Sequence, residues 1–332
     1  MSDALLIAAH GSRDEAGIAE FWALAETWQR LRPDRLQAAG FLEFASPTIG
    51  EAVDELVSRG AKRITVTPAM LMAAGHVKND VPSEIHEARV RHPNVTFHMA
   101  RALDVHPAVL ELCQVRFREA LVDRPMVPDE RTLLLLVGRG TSDPDANANV
   151  SRVARFLWEA YRVGFATVAF SGLASPSVDE ALTLCRRLGF ARIVVQPYFL
   201  FDGVLLKRIH EAAARHAEAE PGIDICAASH LCNHPLLLQA FEERAHEAVH
   251  GSPNMNCELC KYRVRLSGRE EDWGAPQAGH HHHVRAVLDS EDTHVHPLRD
   301  HRRARSMQTE PAADSLAHAW DMRLLRRLHL SN

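Results

Sequence analysis

The stretch FLEFASPTIGEAVDELVSRGAKRITVTPAML (41–71) recurs without a gap as FSGLASPSVDEALTLCRRLGFARIVVQPYFL (170–200). Each copy starts with an apolar segment, passes through Ala-Ser-Pro into a helical pattern, reaches a glycine and ends in a second apolar segment that closes with proline. This order predicts strand, helix and strand in both copies. Self-similarity over this length predicts two similar folding units in tandem.

The repeated helix carries signals at both ends. The serine of Ala-Ser-Pro, which is Ser46 in one copy and Ser175 in the other, is predicted to cap the helix, with proline at the first helical position. Gly60 and Gly189 follow the last apolar helical positions and are predicted to end the helices.

The similarity extends to both sides of this segment. LLIAAHGSRD (5–14) matches LLLLVGRGTSD (133–143), and LDVHPAVLEL (103–112) matches LCNHPLLLQA (231–240). Each copy therefore contains four predicted strands that alternate with four predicted helices. This alternation predicts an α/β, doubly wound fold, in which a parallel sheet is covered by helices on both faces.

The domain boundaries follow from the repeats. The first domain is predicted over 1–125 and the second over 131–250, joined by the polar, proline-containing segment DRPMVPDER (123–131). Two tandem domains are predicted to face each other across a cleft, which is a favoured position for a ligand. Residues 251–332 change in composition to glycine, proline, charges and histidines, so they are predicted to form an irregular tail.

The bulk composition excludes several classes of protein. The chain has 332 residues, with 43 acidic and 38 basic side chains, and this balance argues against a general nucleic-acid binder. No apolar run is long enough for a transmembrane helix. The N-terminus lacks the pattern of a signal peptide, so a cytoplasmic protein is expected.

Three polar positions differ between the copies: His10 aligns with Arg139, Glu43 with Gly172 and His76 with Val204. All three lie at or just beyond the carboxyl ends of predicted strands, where open α/β sheets place their chemistry. Two neutral imidazoles and a carboxylate bind a borderline divalent metal, and imidazoles also accept protons near neutral pH. The alternative for each residue is an ordinary hydrogen-bonded or solvated position in a loop.

Four motifs carry a family resemblance: HGSRD (10–14), FLEFASPTI (41–49), GHVKNDVP (75–82) and MNCELC (255–260). Their order resembles the class II chelatases, and specifically the long, CbiX-type sirohydrochlorin cobaltochelatases. The resemblance covers both copies and the tail, where a Met-x-Cys-x-x-Cys motif and a His-rich stretch accompany each other. It implies a lyase that inserts Co²⁺ into sirohydrochlorin, without ATP, in anaerobic cobalamin biosynthesis.

The resemblance also implies roles for the three asymmetric residues. His10 and His76 would handle the metal and accept protons, and Glu43 would assist proton removal or metal delivery. These residue types suit the reaction, because the macrocycle loses two pyrrole protons as the metal enters and bases must stand beside the metal path.

Sirohydrochlorin carries eight carboxylates, so charge-assisted donors are expected around the cleft. The residues predicted to bind the substrate are Ser12, Arg13, Lys78 and Arg139, and Lys207 of the second copy is a further basic candidate. For each basic residue the alternative is a solvated surface charge.

The tail motifs imply additional metal sites. Cys257 and Cys260 would ligate an iron–sulfur cluster. Clusters usually take four thiolates, so Cys226 and Cys232 or a second subunit would have to supply the other two. A zinc site or a dithiol switch is the alternative. Four consecutive histidines are predicted to buffer Co²⁺, Ni²⁺ or Zn²⁺, or else to form a solvated tract: His280, His281, His282 and His283.

The remaining histidines and cysteines suggest structural roles. His106 and His234 precede proline in both copies, so they are interpreted as helix-entry residues. Cys113 and Cys185 lie on predicted helices and are expected in the core.

Three functional alternatives remain beside the cobaltochelatase. A sirohydrochlorin ferrochelatase for sirohaem would use the same core residues. A non-catalytic cobalt or nickel metallochaperone would not need two histidines facing the cleft of one copy alone. A cluster-based redox protein would depend on Cys257 and would fail if Cys257→Ser left function intact. The expected partners are sirohydrochlorin and a divalent metal, without nucleic acid or membrane, and a homodimer is left open.

Overall fold

The structure is a computed structural model that describes residues 3–232, 234–252, 265 and 267–273. Its first half is a four-stranded parallel sheet in the order β2-β1-β3-β4. The strands are β1 (Asp3–Ala9), β2 (Leu36–Phe41), β3 (Arg63–Pro68) and β4 (Thr96–Met99). The helices are α1 (Glu15–Leu31), α2 (Ile49–Ser58), α3 (Val81–Arg91) and α4 (Pro107–Glu119), and a π-helical turn (His76–Asp80) precedes α3.

The second half repeats this arrangement, with a parallel sheet in the order β6-β5-β7-β8. Its strands are β5 (Thr132–Gly138), β6 (Phe165–Phe170), β7 (Arg192–Pro197) and β8 (Asp224–Ala227). Its helices are α5 (Pro144–Tyr161), α6 (Val178–Cys185), α7 (Val204–Ala219) and α8 (Pro235–His250). The predicted α/β class with two parallel sheets is confirmed.

One hydrophobic core joins the two halves. Alternate residues of β1, such as Leu5, and of β5, such as Leu134, belong to one buried cluster together with residues of α1, α4, α5 and α8. Trp28 of α1 stacks on Phe241 of α8, with ring centroids 5.5 Å apart. The opposite faces of the sheets bury smaller cores, one in each half, which explains why the strands are apolar on both sides.

The structure corrects the predicted caps of the repeated helix. The N-caps are Thr48 of α2 and Ser177 of α6, two residues beyond Ser46 and Ser175, and each forms a capping box with a glutamate three residues later. The bond between the predicted cap serine and its proline is cis in both copies, and the carbonyl of Pro47 accepts a hydrogen bond from the backbone N–H of Phe41. The prolines therefore lie before the helices rather than in their first turn.

The other predicted signals at helix ends are confirmed. Gly60 and Gly189 adopt positive φ angles of 91° and 76° after the helices. His106 and His234 are the N-caps of α4 and α8, where each Nδ1 accepts the backbone N–H two residues later. Among the residues that the structure describes, no helix is both long enough and apolar enough to span a membrane.

Candidate functional site

A cleft of about 780 Å³ opens between the carboxyl ends of the two sheets. Its walls come from both halves, with His10 and His76 on one side and Arg139 on the other. Apolar side chains complete the walls, including Phe44, which is 40% exposed, and its counterpart Leu173, which is 73% exposed. The predicted cleft between the copies is therefore present, and a large apolar ligand with charged edges would match its lining.

His10 is held by the turn that follows β1. Its Nδ1 lies 2.9 Å from the carbonyl oxygen of Gly11, and a carbonyl only accepts, so Nδ1 carries the proton and Nε2 carries a lone pair. Gly11 has φ of +91°, and a Cβ built there would lie 1.7 Å from the carbonyl oxygen of Glu43. The backbone N–H of Glu43 donates to the His10 carbonyl at 2.9 Å. Only glycine permits this close approach of the two strand ends.

His76 opens the π-helical turn and faces His10. Its Nδ1 donates to the Asp80 carboxylate at 2.6 Å, which leaves a lone pair on Nε2 as well. The two Nε2 atoms lie 3.0 Å apart. Two lone pairs at this separation repel each other unless a cation or a proton lies between them, so the pair has the geometry to share one.

Glu43 completes a group of three ligands. One carboxylate oxygen of Glu43 and one ring nitrogen from each of His10 and His76 all lie within 4.8 Å of one another. All three residues are half-buried. Three protein ligands with the remaining positions open to a substrate are typical of metal sites that carry out chemistry.

The electrostatic environment keeps His10 neutral. Burial, the positive charge of Arg139 and the neighbouring His76 lower the pKa of His10 from 6.5 to about 4, and the bond to Gly11 and the Asp80 carboxylate only partly oppose this. A neutral imidazole near pH 7 is the form that ligates a metal or accepts a proton.

Arg139 occupies the position in the second half that His10 occupies in the first. Desolvation by the surrounding protein lowers the pKa of the Arg139 guanidinium, and the negative charge of Glu43 raises it in part. The side chain remains accessible from the cleft. The cleft therefore has a ligand-bearing face on one side and a cationic face on the other.

Comparison with known proteins agrees with this geometry. A sequence profile of the CbiX family matches residues 4–120 and 133–248. The chain belongs to the CbiX family.

Named relatives cover most of this CbiX chain. A sirohydrochlorin cobaltochelatase of Priestia megaterium is 36% identical over 264 residues, which are 79% of this chain and 85% of the relative. A sirohydrochlorin ferrochelatase of the same organism is 32% identical, over 63% of this chain and 77% of the relative. SirB from Bacillus subtilis with Fe³⁺ superposes with a TM-score of 0.67 at 28% identity, over 75% of this chain and 96% of that one. The resemblance to CbiX-type enzymes and the class of metal chelatase are confirmed.

Ser12 and Arg13 lie at the cleft of this CbiX chain, as the sequence predicts. The Ser12 hydroxyl accepts the backbone N–H of Asp14 at 2.9 Å, which stabilises the turn before α1. The Arg13 guanidinium is exposed and stacks 4.9 Å from the centroid of the Phe44 ring. Arg13 therefore offers charged donors at the rim, while Ser12 already serves the local turn.

The position of Lys78 corrects an expectation. Its ammonium is buried, with the side chain 2% exposed, and it donates to the carboxylates of Asp143 and Asp145, both at 2.9 Å. Burial lowers the pKa of Lys78, but the hydrogen bonds that it donates to Asp145 and Asp143 outweigh burial and raise the pKa. Lys78 therefore does not line the cleft. The ion pairs of Lys78 anchor the turn that contains His76 to the start of α5 in the other half.

Lys207 makes a reciprocal contact from the second half. Its ammonium, which is 52% exposed, donates to the Asp14 carboxylate at 2.7 Å, and Asp14 is the N-cap of α1. Each half thus sends one lysine to the first turn of a helix in the other half.

Two residues of the site were not foreseen from the sequence. Asp80 orients His76, and the spacing of four residues in HVKND places both on one side of a helical turn, so this pair was detectable. Phe44 was hidden, because its φ of 63° turns a large apolar side chain out of the sheet and into the cleft. Its ring centroid lies 6.0 Å from that of His10.

The predicted tail sites, at Cys257, Cys260 and the four histidines His280–His283, lie outside the described residues. Cys226, proposed as an additional cluster ligand, is buried in β8, whereas Cys232 is half-buried in the segment that follows. Cys113 and Cys185 are buried on α4 and α6, as predicted.

Proposed function

We propose that this protein is a sirohydrochlorin cobaltochelatase, which inserts Co²⁺ into the macrocycle with release of two protons. The observation that carries the proposal is that the Nε2 atoms of His10 and His76 lie 3.0 Å apart, beside the Glu43 carboxylate. The named relative with 36% identity supports both the substrate and the metal. The pathway implied is anaerobic cobalamin biosynthesis.

The three ligands suit a metal that must be given up. His10, Glu43 and His76 leave the remaining coordination positions of a divalent ion to water, in contrast to the closed four-ligand cages of structural sites. The ion here is a substrate. Asp80 holds the His76 ring in the orientation that points Nε2 at the ion, which is the usual function of a carboxylate behind a ligating histidine.

The proton balance assigns a second task to the same atoms. Entry of a divalent ion releases two pyrrole N–H protons, and transfer of the ion to the macrocycle frees the Nε2 atoms of His10 and His76. Each Nε2 then accepts one proton as general base. His10 suits this task at neutral pH, because the environment keeps it unprotonated until a proton arrives from the substrate.

Side chains from both halves of the cleft bind the substrate in this proposal. Arg139 and Arg13 supply charged donors for the peripheral carboxylates. Phe44 and Leu173 supply exposed apolar surface for the faces of the ring. This division holds the edges of the macrocycle while its centre meets the metal.

Iron insertion is the second candidate function. The Priestia megaterium ferrochelatase is 32% identical to this chain, and SirB was solved with Fe³⁺. Two imidazoles and a carboxylate bind both Fe²⁺ and Co²⁺. The Cys-x-x-Cys motif and the His-rich stretch of the tail favour cobalt over iron only because they resemble the tail of the long cobaltochelatases.

The test is anaerobic absorbance spectroscopy of sirohydrochlorin with Co²⁺ or Fe²⁺ and the purified full chain. Wild type is expected to convert the spectrum faster with Co²⁺ than with Fe²⁺. His10→Ala and His76→Ala are each expected to lower the rate at least about 100-fold, because each removes a metal ligand and a base. His92→Ala is the matched control, since His92 pairs with Asp54 on the surface.

Two results would overturn parts of the proposal. Faster conversion with Fe²⁺ would make the protein a ferrochelatase. Tight cobalt binding without any acceleration of insertion would replace the enzyme by a metallochaperone.

A further inference from the structure

A second group of metal-ligating side chains lies outside the cleft. Glu20 projects from α1 of the first half, and His230 and Cys232 lie on the segment between β8 and α8 of the second half. One ligand atom from each of these residues lies within 4.8 Å of the other two. The group therefore bridges the two halves, as the reciprocal lysines do.

The distances suit a shared ion. Nε2 of His230 lies 3.0 Å and 3.2 Å from the two carboxylate oxygens of Glu20. Two ligands on one tetrahedral ion, at about 2.0–2.1 Å each, lie roughly 3.3 Å apart. A small movement of either side chain would therefore admit an ion between them.

The backbone around this group is fixed in advance. The guanidinium of Arg116 donates to the carbonyl oxygens of residues 230, 231 and 232, at 2.8, 3.4 and 3.0 Å. Leu231, between the two ligands, is fully buried, and its backbone N–H donates to the carbonyl oxygen of Phe199. The segment thus presents His230 and Cys232 from an ordered loop, as a preorganised metal site requires.

Glu20 is held from behind as well. One of its carboxylate oxygens accepts the backbone N–H of Asp202 at 2.6 Å. A hydrogen bond of this kind orients a ligating carboxylate, and the other oxygen of Glu20 already faces Nε2 of His230 at 3.2 Å. Asp202 also lines the cleft, so the group lies directly behind the cleft rim.

The repeat supplies an internal control. By the alignment of the two copies, Glu20 corresponds to Asn149, His230 to Ala102 and Cys232 to Asp104. The equivalent junction on the other side of the molecule thus lacks both the imidazole and the thiol. The scaffold alone does not require a glutamate, a histidine and a cysteine at this place.

We propose that Glu20, His230 and Cys232 form a second binding site for a divalent transition metal of the Zn²⁺ and Co²⁺ class. A thiolate, an imidazole and a carboxylate are the ligands these ions prefer, with water in the fourth position. His230 and Glu20 are 17% and 28% exposed, so an ion reaches them from solvent. The bound ion ties α1 to the loops of the second half that form the cleft rim.

The experiment is an anaerobic Co²⁺ titration of the full chain, monitored by thiolate-to-cobalt charge-transfer absorption in the near ultraviolet. Cys257→Ser and Cys260→Ser are introduced first, so that the tail motif cannot contribute to this band. The parent is expected to develop the band, and Cys232→Ser is expected to abolish it. Histidine ligands elsewhere do not produce a thiolate band, which separates this site from the His-rich tail.

Matched variants complete the design. Cys226→Ala, which removes a buried core thiol, and His10→Ala, in the cleft, are both expected to retain the band. Glu20→Gln keeps the thiol and is expected to weaken Co²⁺ binding on the order of tenfold or more. It replaces Cys232→Ser as the deciding variant if the latter does not fold by circular dichroism.

The proposal fails if the parent shows no band, if the band survives in Cys232→Ser, or if Glu20→Gln binds Co²⁺ as tightly as the parent. Because the readout does not involve insertion into the macrocycle, it is independent of the proposed function.

Discussion

The turn after β1 carries His10 into the cleft, whereas the matching turn after β5 carries Arg139. Both turns depend on a glycine with positive φ, Gly11 at 91° and Gly140 at 79°. The two turns therefore share their glycine, and at this position the cleft faces differ in one side chain.

The next residues of the two turns behave alike. The Ser12 hydroxyl accepts the backbone N–H of Asp14 at 2.9 Å, and Thr141 does the same for Asp143 at 3.2 Å. Both aspartates cap the following helix. A hydroxyl and an aspartate thus build the turn in both halves, whereas His10 and Arg139 differ. Polar side chains that the two halves share serve the scaffold, and under the proposed function the asymmetric His10 serves the chemistry.

The largest expected effect comes from the reciprocal lysines. Lys78→Met leaves the carboxylates of Asp143 and Asp145 without their buried ammonium, and loss of one partner of a buried ion pair costs about 3–5 kcal/mol of unfolding free energy. Lys207→Met removes an exposed pair and is expected to cost clearly less. Urea unfolding of the full chain measures both. Equal losses would mean that burial does not distinguish the two lysines.

The next effect concerns the residue behind His76. Asp80→Asn is expected to lower metal affinity and insertion rate about 10–100-fold, because the carboxylate that orients the ring is lost. Asp54→Asn is the matched control, since Asp54 makes a bond of the same 2.6 Å length to His92 on the surface. The measurement is a Co²⁺ titration with initial insertion rates. If both variants kept wild-type affinity, Asp80 would have no part in positioning His76.

A smaller effect is expected on the cationic face. Arg139→Gln is expected to raise KM for sirohydrochlorin roughly tenfold, since a charge-assisted bond to a substrate carboxylate is lost, while metal affinity is retained. Arg155→Gln, on the exposed side of α5, serves as the control. Steady-state kinetics separate KM from kcat. A fall in kcat with constant KM would place Arg139 with the reacting groups instead.

The smallest effect distinguishes the two capping histidines. Burial and the charge of Arg244 lower the pKa of His106, and burial and Arg116 lower that of His234. Each cap needs a neutral Nδ1 as acceptor, so its stabilisation is complete above the ordinary pKa of 6.5 and is lost as the pH falls toward the lowered value. Acidification therefore destabilises the fold through both residues.

Asparagine caps helices without titrating in this range, so it provides the test. Between about pH 7.5 and 5.5, His106→Asn is expected to lose less stability than wild type, by about 1 kcal/mol for one helix cap. His234→Asn should show a smaller difference, because His234 is less buried. Urea midpoints at the two pH values give the comparison. Identical pH dependence in wild type and His106→Asn would rule out titration of this cap.

Much of the architecture could be predicted from local sequence signals. Apolar runs, the terminal glycines Gly60 and Gly189 and the gap-free repeat were sufficient for two parallel sheets. The asymmetric positions pointed to His10 and His76, because parallel strands bring their carboxyl ends to one edge. The roles of these residues in the reaction stay a prediction.

The remaining features depend on contacts that local patterns do not contain. The serine of Ala-Ser-Pro looked like a cap, but Thr48 and Glu51 form the capping box, and this Thr-x-x-Glu signal was present in the sequence. Lys78 is predicted from the sequence to bind the substrate, but its partners lie more than sixty residues away in the other half. No local pattern reports a buried pair between distant segments.

The single shared core has an evolutionary consequence. An assembly of two identical, separate subunits must obey symmetry, so every change on one cleft face also appears on the other. Here both faces are encoded in one chain and packed on one core, and each can mutate independently. Two halves joined in one chain thus allow one to carry His10 where the other carries Arg139. A ligand in the cleft then meets two different walls, so its two faces are no longer equivalent to the protein.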